Sequence, residues 1–351
     1  TNDVLISIPL FVFMGYVMSE SRLAEDLYKM FHVWFGPLPG GLAVGTIMLM
    51  VMISAMNGLS VAGMAIGATI ALPELLKRNY DKLMISGVIQ GGSSLGILIP
   101  PSVVLVLFAQ IARQPVSQLW LAGVMPGLLM AVLFVAYIVV RCWWNPALAP
   151  AMSAEERASI TWGERIRLLR AALLPAIIFA SMMIPFVKGW TSLTEASVIG
   201  ALTAVVAAVI KGTFTREVFE HATRNTLAIT VMFMLIIMAA LSFGAVFDGL
   251  GAGRAIEGFF VRDLGLGPWQ VLILMQLSFL VMGMFLDDTA MLVIVAPIYV
   301  GLAQTLGFDL IWYGVLYTIT CQIAYLTPPF GYNLFLMRAM APPEITIVDI
   351  Y

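Results

Sequence analysis

Charge is scarce in this chain. Only 11% of its 351 residues are Asp, Glu, Lys or Arg, against roughly 25% in a soluble domain, and 61% are hydrophobic. That balance excludes an ordinary water-soluble globule and places the chain in a bilayer. Two cysteines, Cys142 and Cys321, are too few and too far apart for a disulfide framework, so both are expected as free thiols. Two histidines, His32 and His221, sit in polar connecting segments without ligand spacing, which argues against a transition-metal site. A net charge of −2 decides nothing by itself, and no feature suggests nucleic acid. No Walker motif is present. The glycine-rich stretch Gly249-Leu250-Gly251-Ala252-Gly253 lacks a preceding strand and a following Gly-Lys-Ser/Thr, so it reads as a flexible turn. Neither an enzyme nor a protein with a nucleotide or organic cofactor is expected.

What is present is apolar sequence in long, non-alternating runs, with a mean hydropathy of +0.98. Such runs predict helices rather than an outer-membrane barrel. Residues 4–18 make a first, slightly short span. Residues 22–34 place Leu23, Leu27, Met30, Phe31 and Trp34 at helical spacing among charges, the pattern of an interfacial amphipathic helix; a solvated connecting helix has the same pattern. Residues 37–73 contain no charge over 37 residues, about 55 Å as one helix against a hydrocarbon core of ~30 Å. That is too long for one crossing and short for two, and a re-entrant hairpin with its tip near Asn57-Gly58 resolves the mismatch. Residues 83–112 form a span broken at Gly91-Gly92-Ser93-Ser94 and at Pro100-Pro101, and residues 119–140 span again.

Residues 141–170 are the one sizeable polar loop, with five arginines against three glutamates, which puts them in the cytoplasm. Further spans follow at 171–187, 196–210 and 226–247, with a basic connector at 211–224. The chain starts at Thr1 with an apolar run almost at once and ends at Tyr351 in a new apolar stretch, so further spans are expected beyond both ends.

An internal repeat organises the rest. With an offset of 228, Asn79-Tyr80-Asp81 falls on Gly307-Phe308-Asp309 and Ile99-Pro100-Pro101-Ser102 on Thr327-Pro328-Pro329-Phe330. Each proline pair follows a small-polar break, at 54–60 and at 283–289; Ser60 to Pro100 and Thr289 to Pro329 are both intervals of 40. The first hairpin is flanked by Lys77, Arg78 and Lys82, the exit of the second by Asp309 and no basic residue, so the copies should open to opposite faces. The expected fold is an all-α polytopic membrane protein. Its inverted repeats each hold a re-entrant hairpin followed by an interrupted helix. Residues 1–36 give an N-terminal span and interfacial helix, 37–140 the first repeat with its following span, and 141–170 the cytoplasmic loop. Residues 171–263 give scaffold spans, 264–340 the second repeat, and 341–351 the start of a further segment.

Paired interrupted segments in two halves mark the binding site of a secondary transporter. Unwound carbonyls and short polar side chains can replace sodium's water shell there, while half-helix N-termini attract an anionic group. For sodium the first copy offers Asn57, Ser60, Gly92 and the Ile99 and Pro100 carbonyls; the second offers Asp287, Thr289, Thr327 and the backbone from Pro328 to Gly331. For substrate the candidates are Ser93, Ser94, Ser102, Asp288 and Asn333. Asn57, Ser60 and Thr289 have a plainer reading as interhelical hydrogen-bonding residues. Asp287 and Asp288 are harder to explain that way, because an acid at mid-membrane needs a cation, a proton or a polar cavity.

Residues 8–15 (IPLFVFMG), 95–102 (LGILIPPS), 122–127 (AGVMPG) and 327–331 (TPPFG) together resemble the large membrane subunit of tripartite ATP-independent periplasmic (TRAP) transporters, in order and over nearly the whole chain. The resemblance implies sodium-coupled uptake of an organic acid across the bacterial inner membrane by an elevator-type transport domain. It also implies a small four-helix membrane partner, a soluble periplasmic substrate-binding protein, and extra apolar segments at both ends. One departure is Gly58-Leu59-Ser60 where the family commonly has Gly-Ser-Ser at the first tip. Another is the second acid of Asp287-Asp288. A stand-alone sodium symporter of di- and tricarboxylates would share the architecture. A passive channel would not need two interrupted hairpins, and residues 141–170 show no feature for docking an ATPase.

Overall fold

The computed structural model describes residues 3–58, 60–251, 255, 258, 265–286, 288–329 and 331–351, and helix is the regular structure throughout them. Six of the described helices are long and apolar enough to cross a membrane. Helix α1 (Asp3–Glu20) packs on α10 (Leu193–Ile210) and α11 (Arg216–Gly249). The amphipathic α2 (Leu23–Phe35) buries Leu23, Leu27, Met30 and Phe31 against α3 (Gly41–Asn57) and α9 (Trp162–Val187), so protein rather than lipid covers most of its apolar face.

The two repeats have the same outline. In the first, α3 turns at Gly58 into α4 (Ser60–Lys77), which holds a π-helical stretch at Gly67–Ala71; α5 (Lys82–Ser94) and α6 (Val103–Ala112) follow. In the second, α12 (Pro268–Gly283) and α13 (Asp288–Thr305) form the pair, followed by α14 (Leu310–Tyr325) and α15 (Tyr332–Met340). Helices α4 and α13 are both 18 residues long and begin and end at equivalent positions. Asp81 and Asp309 cap α5 and α14 through carboxylates that accept the Met84 and Trp312 amides at 3.1 and 2.8 Å. Two residues before each cap, Asn79 and Gly307 both have positive φ, 57° and 82°. Both proline pairs contain a cis peptide bond.

Each pair is a helical hairpin with touching arms. A Cβ added to Gly67 of α4 would lie 2.7 Å from the Met50 Cε of α3. In the second pair Tyr299 packs on Phe279 with ring centroids 5.1 Å apart, and its hydroxyl is 2.8 Å from the Ser278 hydroxyl. The copies then exchange partners. Helix α4 of the first packs on α15 of the second, and α13 of the second packs on α6 of the first.

Some expectations need correction. The helix does not break at Gly91-Gly92-Ser93-Ser94: α5 runs through Ser94, and the chain leaves helical geometry only beyond Ile97. Gly92 serves close packing instead, since a Cβ there would meet Met50 Cγ at 2.8 Å, while a Cβ on Gly91 would meet only the Phe134 ring at 3.7 Å. Residues 141–170 are not a plain loop. Helix α7 (Val116–Trp144) runs into them, a short α8 (Ala154–Ser159) follows, and α9 starts at Trp162, capped by the Thr161 hydroxyl. His32 and His221 lie on helices α2 and α11 rather than in connectors, and Cys142 and Cys321 are buried free thiols. Part of the turn expected at Gly249–Gly253 lies outside the described residues.

Candidate functional site

The first hairpin tip is built on Gly58. Its φ of +69° is a left-handed conformation, and a Cβ there would lie 2.0 Å from the Pro101 carbonyl oxygen. Only glycine lets the tip approach so closely. Its own carbonyl accepts the Val103 amide at 3.3 Å, tying tip to proline break. Ser102 then caps α6, accepting the Leu105 amide at 3.2 Å and donating its hydroxyl to the Ile97 carbonyl; its own carbonyl accepts from the Trp120 indole at 3.2 Å.

Beside this tip lies a fully buried polar cluster. The Ser60 hydroxyl donates to Asn333 Oδ1 at 3.0 Å, and Asn333 Nδ2 donates at 3.2 Å both to the Gln90 carbonyl and to Ser93 Oγ. Asn333 is wholly buried, and it comes from α15 of the second copy, while Ser60, Gln90 and Ser93 come from the first. Leaving such a group unpaired costs about 1–3 kcal/mol, so the bonds hold the two copies in one register. The Ser94 hydroxyl donates to the Gly91 carbonyl at 2.8 Å, and the Ser94 carbonyl accepts from Gln322 Nε2 at 3.0 Å. Gly92, Ile99 and Pro100 are buried nearby, and the Gly92 carbonyl accepts the Leu95 amide.

The second tip is chemically different. Asp288, the equivalent of Ser60, starts α13 and is 7% exposed. Its carboxylate accepts the Thr289 amide at 2.8 Å and the Thr289 hydroxyl at 3.2 Å, and its carbonyl accepts the buried Tyr317 hydroxyl at 2.8 Å. The second proline break is more open: Thr327 is half-buried, Pro328 and Pro329 are exposed, and Gly331 is buried with φ +36°. The Thr327 hydroxyl donates back to the Ile323 carbonyl at 2.7 Å, and the Pro329 carbonyl accepts from Tyr351. Thus Ser60, Ser93 and Asn333 meet in one cluster and Asp288 with Thr289 in another. Asp287 and the Asn57 side chain lie outside the described residues. The sequence reading missed Gln90, Gln322 and Tyr317; amides and a phenol inside apolar runs were the available signal.

At the end expected to face the cytoplasm, residues 148–152 strap the first repeat. The amides of Met152, Gly40 and Asp81 bond to the carbonyls of Gly36, Ala149 and Leu148 at 2.8, 3.0 and 2.8 Å. The Arg78 guanidinium grips Glu156 with two bonds, 2.7 and 2.9 Å, and Glu74 with a third at 3.0 Å. His32 Nε2 lies 3.2 Å from Glu156. Hydrogen bonds from Arg78, then from His32, pull the Glu156 carboxyl down to about 2. Burial is the main cause that lowers His32, with the Arg78 charge adding to it.

The arrangement gathers neutral oxygen ligands at one tip and a carboxylate at the other, the first tip tied to its proline break through Gly58 and the second to α14 through Tyr317. Among the described residues no group of three His, Cys, Asp or Glu converges as a metal site. The family model described as "Tripartite ATP-independent periplasmic transporter, DctM component" matches residues 1–351. A C4-dicarboxylate TRAP transporter large permease protein of Pseudomonas aeruginosa is 30% identical, over 96% of this chain and 77% of its own length. A sialic acid TRAP transporter large permease protein of Vibrio cholerae is 25% identical over 96% of this chain and 77% of its own. The solved structure of the Alcanivorax borkumensis YdaH transporter superposes with a TM-score of 0.69 over all of this chain and 80% of that one, at 16% identity, a likeness of fold.

Proposed function

Because the chain belongs to the DctM-component family of tripartite ATP-independent periplasmic transporters, a family of transporter permeases rather than enzymes, we propose that it carries an organic acid together with sodium across the bacterial inner membrane. Its partners in this reading are a small four-helix membrane subunit and a periplasmic substrate-binding protein. The observation that carries the reading is the buried oxygen cluster of Ser60, Ser93, Asn333 and the Gln90 carbonyl at the first tip. Hard cations are held by oxygen ligands, and neutral oxygens with a backbone carbonyl suit a monovalent ion. Asp288 with Thr289 is the counterpart at the second tip, where a carboxylate lowers the cost of bringing a cation to mid-membrane. The substrate carboxylate sits between the tips, near Ser94, Ser102 and the N-terminus of α6, which the helix dipole makes attractive to an anion. The proposed motion is an elevator: the two hairpins with α5, α6, α14 and α15 move as one body, the repeats opening to opposite faces, against α1, α10 and α11.

The relatives named for C4-dicarboxylates and sialic acid support an organic acid as the substrate class and leave its member to experiment. The test is uptake of labelled organic acids into vesicles holding the subunit and its small partner. Uptake that needs both a sodium gradient and the binding protein supports the proposal. Uptake with sodium alone means a stand-alone symporter, and flux that needs neither means a channel.

A further inference from the structure

A groove outside the hairpin tips has a shape and charge of its own. It lies between α5 and α7, with a volume of about 550 Å³. Met84, Gly87, Val88 and Gly91 line one wall and Phe134, Tyr137, Ile138 and Arg141 the other, each set at helical i, i+3, i+4, i+7 spacing. Glycine keeps it open: a Cβ on Gly87 would meet nothing within 4 Å, and one on Gly91 would meet only the Phe134 ring at 3.7 Å. From Asp81 to Gly91 the groove runs about 15 Å, half of a ~30 Å hydrocarbon core and so one leaflet deep.

Its mouth carries two charges, Arg141 and Asp81. Among the described residues Arg141 has no ion-pair partner, and Asp81 uses one carboxylate oxygen to cap α5. Arg141 is followed by Trp143 and Trp144, exposed at 78% and 76%, the residues that mark a membrane interface. The basic surroundings place that interface on the cytoplasmic side.

We propose that this groove is a binding site for one zwitterionic phospholipid of the cytoplasmic leaflet, of the phosphatidylethanolamine type. Its acyl chains lie along Gly87, Gly91 and Phe134. Arg141 takes the phosphate in a two-pronged contact, and Asp81 accepts from the ammonium. The groove is apolar along its length and charged only at its mouth, the distribution of a lipid's chains and headgroup. The lipid thereby touches α5 on the face opposite Ser93, and its occupancy bears on the helix that carries Gln90, Ser93 and Ser94.

The experiment is native mass spectrometry of the full chain in detergent, offered equal amounts of phosphatidylethanolamine, phosphatidylcholine and phosphatidylglycerol. Phosphatidylethanolamine should be retained preferentially, because a quaternary ammonium cannot donate to Asp81 and glycerol brings no positive charge. Arg141→Gln should lower its retention about ten-fold by removing a charge-assisted bond, and Gly87→Phe, which fills the groove, should abolish it. Leu173→Phe, at an exposed position on α9, should change nothing. Arg141 is exposed, so that variant keeps the proposal testable if Gly87→Phe fails to fold. Equal retention of the three lipids, or retention indifferent to Arg141→Gln, overturns it. So does loss of the adduct on adding the small membrane subunit, because protein would then be what covers the groove.

Discussion

Gln322 Nε2 donates to the Ser94 carbonyl at 3.0 Å, and the two residues, 228 positions apart, hold equivalent places in the two repeats. A bond between equivalent positions lies where a pseudo-two-fold axis would pass. Among the described residues Gln322 Oε1 has no hydrogen-bond partner, so within them the residue holds the repeats together through its donor alone. Gln322→Leu should therefore destabilise the protein by about 1 kcal/mol, read as a lowered melting temperature in detergent. Wild-type stability would remove the bond from any role in joining the repeats.

Ser60→Ala takes one oxygen from the first tip and leaves Asn333 its two bonds as donor. The sodium concentration for half-maximal uptake should rise roughly five-fold, the equivalent of about 1 kcal/mol for one neutral ligand, and the melting temperature should fall as well, because the buried Asn333 Oδ1 loses its donor. An unaltered sodium response would take Ser60 out of the site. Asp288→Asn should weaken sodium activation at the second tip, and Thr289→Ala less so; unchanged activation in both would sink that half of the proposal.

Gly58→Ala places a methyl group against the Pro101 carbonyl in a left-handed backbone. Strain alone is worth about 1–2 kcal/mol, and the clash adds to it. The melting temperature should fall by more than for Gly189→Ala, another positive-φ glycine but one with no atom within 4 Å of an added Cβ. Equal losses would mean that the tip relaxes away from the proline break.

The Glu156 carboxyl sits at about 2 against an ordinary value of 4.5. A depressed carboxylate stabilises the fold above its unfolded value and loses that contribution as pH falls towards the folded one. The stability gap between wild type and Glu156→Gln should thus be constant above about pH 5 and close between 4.5 and 2. His32, lowered chiefly by burial, opposes folding once protonated, so stability should also decline as pH drops below 6.5, and His32→Gln should remove that decline. Thermal melts across pH check both.

The hairpin tips and proline breaks were legible because lipid makes polar residues and unpaired backbone costly, and Gly58, Ser60, Asp288 and both proline pairs stand out against apolar neighbours. The offset between the copies reproduced the ends of α4 and α13 to the residue. Gly92 misled because glycine marks both a broken helix and a close helix contact, and only the position of Met50 decides which; Gly91 instead leaves open space in front of the Phe134 ring. Asn333 was chosen as a substrate ligand from its place beside the second break, yet it bonds to Ser60 and Ser93 of the other copy. Exchange of partners between repeats leaves no mark in a periodicity. Residues 141–170 read as a loop on their charges, although polar helix ends protrude from a membrane as readily as loops do.

The Ser60–Asn333 bond joins residues 273 positions apart in the chain. At synthesis rates of ~5–20 residues per second, Asn333 follows Ser60 out of the ribosome by about 14–55 s. For that interval the first hairpin sits in the membrane with its tip hydroxyl lacking its final partner. Synthesis of this protein thus contains an interval in which the early half lacks a bond that the finished fold uses to join its two copies.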